Sequence, residues 1–353
     1  RLASGESTWP GWGGEGSDFA VDDLNLGTDW SALEVAWEVP LGRGQSGIVV
    51  DETTAYTLFE AEGRETLIAL DRGTGAEQWR ADWAPGYQPV YDDRKGPHAT
   101  PLVTGELVVA LGINGELRAH DRVDGLLRWR YDLRRDFGAR RPQAGFAASP
   151  IAWRGRVIVF IGGSERRSIA AFEQGTGTLA WIDHDLSLSH STPRVMNLDG
   201  RDTLVVRHRG GLAGLDPWNG ALLWRYDGPG EGDNVAIDPL WLGEDRVVLS
   251  YPYGDEVGTW LLNRAGPDFA RDWVASRVRP DHQNLIHLND VIVSSSGWGP
   301  TFTLGLDPES GETLWRQRSP KRTFLRVGQR VLSLDEDGTL ELAEADAEGM
   351  RRL

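Results

Sequence analysis

Three histidines are the residues best suited to do chemistry in this sequence, because they recur at equal intervals. His98, His190 and His282 each lie in a polar loop that precedes a run of apolar residues. Imidazoles arranged around one axis can bind a divalent transition metal and leave positions open for water or substrate. They can also act as general bases near neutral pH, and Asp281 beside His282 is a fourth catalytic candidate. The alternative is structural, with each ring bonded to backbone or to channel water.

Further polar and aromatic side chains in comparable loops are candidates for binding a ligand. Arginine, tyrosine and tryptophan carry much of the binding energy at recognition surfaces. The candidates are Arg43, Gln45, Gln143, Arg207, Tyr251, Tyr253, Trp298 and Arg322. Together they predict a polar pocket with an aromatic rim, suited to a small molecule, a carbohydrate or a peptide. For each loop taken alone, the alternative is solvated surface.

A repeated frame, Asp-x-x-x-Gly-x-x-x-Trp, sets the positions of these loops. Copies begin at Asp71, Asp121, Asp216 and Asp307, and a variant begins at Glu173. The acid can hydrogen-bond the turn backbone, and the glycine supplies the positive φ that short hairpins need. The tryptophan then stands on the next strand and can pack against the neighbouring sheet. With two apolar segments upstream, each repeat predicts four antiparallel strands, which is one propeller blade.

The frame tryptophans predict a seven-bladed β-propeller of four-stranded antiparallel blades. They are Trp37, Trp79, Trp129, Trp181, Trp224, Trp273 and Trp315, at blade-sized intervals. We expect the strand around Trp37 to complete the C-terminal blade, because closure removes two exposed sheet edges. The predicted division is an extension over 1–34 that packs on a propeller over 35–353, with blades at about 45–83, 98–133, 146–183, 189–227, 234–275, 282–318, and 323–346 plus 35–39. The alternatives are an open solenoid, or six blades and an extension.

The frame resembles the tryptophan-docking motif of PQQ-like propeller repeats. That family includes quinoprotein alcohol dehydrogenases and the outer-membrane assembly lipoprotein BamB. The opening Trp9-Pro-Gly-Trp12 and the Thr-Pro or Ser-Pro blade entries are similar to exported PQQ-like propellers of unassigned function. The resemblance implies the fold more than a cofactor. The quinone enzymes have an adjacent cysteine pair beneath the quinone and BamB has an anchoring cysteine; this chain has no cysteine, so we do not expect it to bind PQQ.

Composition narrows the classes of partner. The formal net charge of −16 argues against a nucleic acid, since phosphate binding depends on excess lysine and arginine. No apolar run is long enough to span a membrane. The chain begins at Arg1 rather than at methionine, so we expect a leader to have been removed and the protein to be periplasmic or extracellular. We expect a monomer.

These observations leave two functions open. The first is an exported propeller that binds a small molecule, a carbohydrate, a peptide or a protein at the mouth of its central channel. The second is an enzyme at the same place, a metal- or histidine-assisted hydrolase, lyase or oxidase. A PQQ-dependent dehydrogenase and a BamB-like envelope assembly factor are weaker alternatives. No known catalytic motif in the sequence decides between them.

Overall fold

Short hairpin turns divide the chain into seven blades of four antiparallel strands, which confirms the predicted seven-bladed β-propeller; the sheet of the last blade gains a fifth, parallel strand from the N-terminal segment. The computed structural model describes residues 8–22, 24, 26–27, 30, 34–84, 96–142, 144–229, 236–254, 256–296 and 300–353. Within each blade the strands follow one another in sequence order, from an inner strand to an outer strand. The loops before the inner strands and those between the second and third strands therefore share one face, which we call the entry face.

The first four blades have regular bounds. Blade 1 contains Val49–Val50, Thr54–Ala61, Arg64–Asp71 and Glu77–Trp83. Blade 2 contains Leu102–Thr104, Leu107–Leu111, Glu116–Asp121 and Leu127–Asp132. Blade 3 contains Ile151–Trp153, Arg156–Gly163, Arg167–Glu173 and Leu179–Asp183. Blade 4 contains Arg194–Leu198, Arg201–His208, Gly211–Leu215 and Leu222–Asp227.

The last three blades continue the same order. Blade 5 contains Leu240–Trp241, Arg246–Tyr251, Gly258–Ala265 and Asp268–Ala275. Blade 6 contains Ile286–Leu288, Val291–Ser295, Phe302–Leu306 and Thr313–Arg318. Blade 7 contains Arg322–Val327, Arg330–Asp335, Leu340–Asp346 and Gly349–Arg352. The α-helix in the described part of the chain, Leu133–Phe137, is too short to cross a membrane, and no other described helix could do so.

The frame tryptophans join each blade to the next. The Trp129 indole donates a hydrogen bond to the carbonyl of Gln174 at 2.8 Å, in the turn of the following blade. It lies directly over Gly177, where an added Cβ would come within 2.6 Å of the ring. Gly177 also has φ +70°, so the frame glycine is required both by the turn and by the docked indole. The motif is therefore a device for packing one blade on another.

The ring does not close as the sequence suggested. Trp37 does dock on blade 1, since its indole lies over Gly75 and donates to the Arg72 carbonyl at 3.0 Å. The residues around it form no strand, and Gly349–Arg352 is the outer strand of blade 7 instead. The Asp346 carboxylate accepts from the backbone of Glu348 at 2.8 Å and so stabilises the turn that folds this strand back. A strand this close in sequence reaches the open edge with a much shorter loop than the distant segment around Trp37 requires.

An N-terminal plug, residues 8–21, runs along the central channel. Trp9 exchanges backbone hydrogen bonds with Val50 of blade 1, at 2.8 and 2.9 Å. The Trp12 indole donates to Asp238 at the entry of blade 5, and the Asp18 carboxylate lies 3.6 Å from Arg194 of blade 4. The plug then turns back, and Ala20–Val21 pairs in parallel with the inner strand of blade 7. The plug therefore lies among the inner strands, inside the central channel whose mouth the sequence analysis proposed as a ligand site.

Candidate functional site

Two entry-face loops bring three of the predicted side chains together. The Tyr253 hydroxyl, from the loop between the second and third strands of blade 5, donates to Asp281 Oδ1 at 2.6 Å. His282 Nδ1 lies 2.9 Å from Asp281 Oδ2, in the loop that enters blade 6. The Asp281 side chain is 5% exposed, whereas the His282 side chain is 63% exposed. We call this group the Tyr–Asp–His trio.

Hydrogen bonds within the trio fix the orientation of the His282 ring and stabilise the Asp281 carboxylate. Burial alone would raise the pKa of Asp281, but hydrogen bonds from His282 and Tyr253 and the charges of His282 and Lys321 hold it below its ordinary value. The carboxylate can only accept hydrogen bonds, so His282 Nδ1 carries a proton. In the neutral ring, Nε2 is then an acceptor directed away from the buried carboxylate. The trio therefore presents one oriented imidazole nitrogen at the surface.

Beside His282 lies an apolar cleft of about 350 Å³. Its walls come from the plug, the entries of blades 5 and 6, and one face of blade 7. The apolar lining residues are Trp9, Trp12, Phe19, Ala236, Ile237, Phe324, Leu325, Leu332, Leu334 and Leu340. We call it the leucine cleft. Its volume falls within the range of about 300–1,000 Å³ that ligand sites occupy.

The leucine cleft exists because one face of blade 7 is left partly uncovered. Phe324 and Val331 pack against blade 6. Leu325, Leu332 and Leu334 alternate with them and therefore lie on the opposite face, which we call the seam face. Leu334 is 47% exposed and Leu340, its cross-strand neighbour, is 49% exposed. Leucines of this kind are normally buried between blades, so the seam face offers apolar surface to a ligand.

Two other predicted ligand residues form a buried contact instead of a surface. Arg207 is 1% exposed and Tyr251 is 3% exposed. The guanidinium lies 4.4 Å from the Tyr251 ring centre and donates to the Gly211 carbonyl at 3.0 Å. Burial and the charges of Arg225 and Arg207 lower the pKa of the neighbouring His208 to about 4, so the His208 ring is neutral at pH 7. The pair ties blade 4 to blade 5 and is not presented at the channel mouth.

The three evenly spaced histidines do not form the predicted metal site. His98 and His190 are half-buried in the entries of blades 2 and 4, whereas His282 is exposed and pairs with Asp281. In the part of the chain that the structure describes, no three histidine, aspartate or glutamate side chains are grouped so that they could hold a metal ion. The plug occupies the axis on which the imidazoles would have to meet. Equal spacing in sequence placed them on equivalent loops, but not close together.

The remaining candidates lie apart from the cleft. Arg43 is exposed and its backbone pairs with Glu60, at 2.8 and 2.6 Å, while the Gln45 amide donates to the Pro97 carbonyl at 2.9 Å. Arg322 is committed to blade 7, where it donates to Ser333 Oγ at 3.2 Å and to Glu341. Gln143 and Trp298 lie outside the described residues. Of the residues predicted from the sequence, the structure therefore brings Tyr253, Asp281 and His282 together beside the cleft.

Sequence reasoning missed the aromatic residues of the plug and the leucines of the seam face. Trp9 and Trp12 stand in an unusual Trp-Pro-Gly-Trp segment, which was a signal for packing but not for a position inside the channel. Leu332 and Leu334 follow the alternation of any blade strand. Nothing in that alternation distinguishes a face that meets another blade from one that is left open.

Comparisons with known proteins agree with this architecture. A family model described as outer membrane protein assembly factor BamB matches residues 28–136 and 63–254. A curated relative, the dehydrogenase subunit of the quinone alcohol dehydrogenase of Gluconobacter oxydans, is 24% identical over 278 residues; the match covers 69% of this chain and 35% of that subunit. This chain thus spans about a third of the length of that relative.

Two solved structures show the same fold. BamB from Moraxella catarrhalis superimposes with a TM-score of 0.61 at 21% identity, over 84% of this chain and 82% of that one. The quinohemoprotein alcohol dehydrogenase of Comamonas testosteroni superimposes with a TM-score of 0.63 at 14% identity, over 98% and 72%. Identities this low establish the fold and not the ligand. Since the family model matches more than half of the sequence, this chain belongs to the PQQ-like β-propeller family that the BamB model describes.

Proposed function

We propose that this protein is a binding propeller that holds an apolar segment of a protein partner in the leucine cleft. The observation that carries the proposal is the exposure of Leu334 and Leu340, at 47% and 49%, on a face of the type that blades normally bury. The cleft has room for one or two large side chains. At its rim, His282 supplies a hydrogen-bonding nitrogen held in place by Asp281.

The charge of the chain indicates what should flank that segment. A net charge of −16 favours partners with lysine or arginine beside the apolar residues, because complementary charge speeds encounter. The description of the matched family as an outer-membrane assembly factor supports a protein partner. It also supports a location in the cell envelope or outside the cell, which is part of the proposal.

A synthetic peptide array tests the proposed site. Short peptides with leucine or phenylalanine next to lysine should bind the purified protein, and acidic versions of the same peptides should bind less. Leu334→Asp and Leu340→Asp should each weaken binding about tenfold or more, since either change places a charge against the apolar segment. Both positions are exposed, so the fold should tolerate the change.

A matched control separates the site from general surface hydrophobicity. Leu126 is 64% exposed on blade 2, and Leu126→Asp should leave peptide binding unchanged. Equal loss of binding in the Leu126 and Leu334 variants would show that the peptides adhere non-specifically. An array without any saturable binder for the wild-type protein would contradict the proposal.

The Tyr–Asp–His trio favours acid–base catalysis as a second candidate function. An imidazole oriented by a carboxylate is the arrangement of a general base, and His282 lines the cleft. It would take a proton from water or from a bound hydroxyl. A panel of ester and glycoside substrates tests this, with Asp281→Asn as the diagnostic variant, because an amide no longer holds the imidazole in one tautomer. Turnover that the His282→Gln variant retains in full would remove this candidate.

A further inference from the structure

A second cavity, of about 430 Å³, lies on the other side of the plug from the leucine cleft. The inner strands of blades 4 to 7 and the returning half of the plug, Ser17–Ala20, form its walls. Phe19, Asp238 and Asn284 line both spaces, so this part of the molecule is the partition between them. We call it the channel cavity, and its volume also falls in the range of ligand sites.

The charged groups of the channel cavity are already compensated. Arg194 faces Asp18, and Arg326 is paired with Asp22. Burial, with the charges of Arg246 and Arg326, lowers the pKa of His287, so its ring is neutral at pH 7. A charged ligand would therefore have to compete with an existing ion pair. An uncharged ligand meets no such cost.

The hydrogen-bonding groups of the cavity are less well satisfied than its charges. Arg194 Nη2 lies 3.6 Å from Asp18 Oδ2, too far for a direct hydrogen bond. Arg194 Nε is buried and has no hydrogen-bond partner among the described residues. A group that accepts from the guanidinium and donates to the carboxylate would bridge them, and a hydroxyl does both. The exposed amide of Gln329 offers the same dual capacity at the rim.

Other polar groups of the wall are already used. Asp238 accepts from Ser191 Oγ at 2.7 Å, from the Thr192 amide at 2.8 Å and from the Trp12 indole. Asn284 exchanges two hydrogen bonds with the backbone of Phe324, at 2.7 and 3.0 Å. Hydrogen-bonding capacity is left for a ligand at Arg194, Asp18, His287 and Gln329, among other lining residues.

The remaining wall is apolar. Trp241 and Met196 line the cavity and are partly buried in the core between blades 4 and 5. Their surface suits the C–H groups of a ligand whose hydroxyls face the polar side. From this combination we propose that the channel cavity binds an uncharged polyhydroxylated molecule, a sugar or a polyol, separately from the proposed peptide site.

Calorimetry and saturation-transfer NMR with four probes test the assignment. Sorbitol and trehalose are the neutral hydroxylated probes, while citrate and putrescine carry opposite charges. The wild-type protein should bind at least one neutral probe in a saturable manner. Arg194→Met should weaken that binding about tenfold or more, the loss expected when a buried polar partner is removed. Gln329→Leu, at an exposed position that folding does not require, should weaken it several-fold.

Two controls make the result decisive. Arg201→Met alters an exposed arginine of the same blade, paired with Asp216 outside the cavity, and should leave binding unchanged. Leu334→Asp should also leave it unchanged, so this proposal and the peptide proposal can fail independently. Saturable binding of citrate or putrescine in preference to both neutral probes would overturn the inference. So would the absence of saturable binding of either neutral probe to the folded wild-type protein, which would mean that the cavity holds only water.

Discussion

Glu65 gives a quantitative test of the packing between blades 1 and 2. Its side chain is buried, with the residue 1% exposed. Oε1 accepts from the Ile113 amide at 2.8 Å, and Oε2 accepts from the Trp83 indole at 2.7 Å. Burial outweighs these two hydrogen bonds and raises the pKa of Glu65 from 4.5 to about 7. The folded protein therefore keeps this proton to a higher pH than the unfolded chain does.

The sign and size of the effect follow from that difference. Between about pH 4.5 and pH 7 the folded state binds more protons than the unfolded state, so the free energy of unfolding falls as the pH rises. At about 1.36 kcal/mol per pKa unit, the whole loss is about 3 kcal/mol. The stabilisation that comes from the proton on Glu65 is fully present below about pH 4.5, and it is lost by the time the pH has passed about 7.

Urea unfolding of the wild-type protein and of Glu65→Gln measures this loss. Glutamine has a similar size and cannot ionise. The free energy of unfolding of the variant, relative to the wild type, should rise by about 3 kcal/mol from about pH 4.5 to about pH 8. Glu52→Gln, at an exposed carboxylate of the same blade, should follow the wild type. If Glu65→Gln and the wild type showed parallel pH dependence, Glu65 would not be the buried acid described here.

Two further predictions concern the docking of indoles between blades. Trp129→Ala should lower the free energy of unfolding by about 3–5 kcal/mol, as for a buried aromatic residue. Trp218 is 58% exposed and its ring contacts Trp153 and Arg156, so Trp218→Ala should lower it by only about 1 kcal/mol. Urea titration checks both values. Gly177→Ala should cost more than about 1 kcal/mol in the same assay, because the turn has φ +70° and the new methyl group would meet the Trp129 ring. Gly175→Ala, in the same turn with no atom near its Cβ position, should cost much less, and equal losses would contradict the docking argument.

Most of the fold could be predicted from the repeat frame. Each frame position has a local physical reason, so Asp71, Gly75 and Trp79 could be interpreted without knowing their neighbours. The number of blades followed from counting indoles. The closing strand could not be obtained this way, because Gly349–Arg352 is short, carries two arginines and lacks a tryptophan. Only its hydrogen bonds with Leu340–Asp346 identify it.

The candidate site was predicted in part. The loop after Tyr251 and the loop before Ile286 were both identified as candidate loops, but the sequence did not pair Tyr253 with Asp281; their hydrogen bond is seen only in the structure. Which way a strand residue points was not available from the sequence. Arg207 lies at the end of a strand whose neighbours alternate between two buried faces, so its side chain is enclosed. The sequence analysis expected Arg207 at the surface only because arginine is polar.

The plug has a consequence for how the molecule is made. Residues 8–21 leave the ribosome before any of the strands they will touch, and their last partner, the strand Arg322–Val327, is synthesised near the opposite end. Blades 1 to 6 can form one after another by pairing of strands that are close in sequence. The N-terminal segment, however, lacks part of the channel wall that it packs against until blade 7 has been synthesised. The plug therefore inserts late in folding, and its contacts with blade 7 join residues that are far apart in the sequence. A chain stalled before Arg322 would keep Trp9 and Trp12 in the nascent protein without a finished channel to receive them.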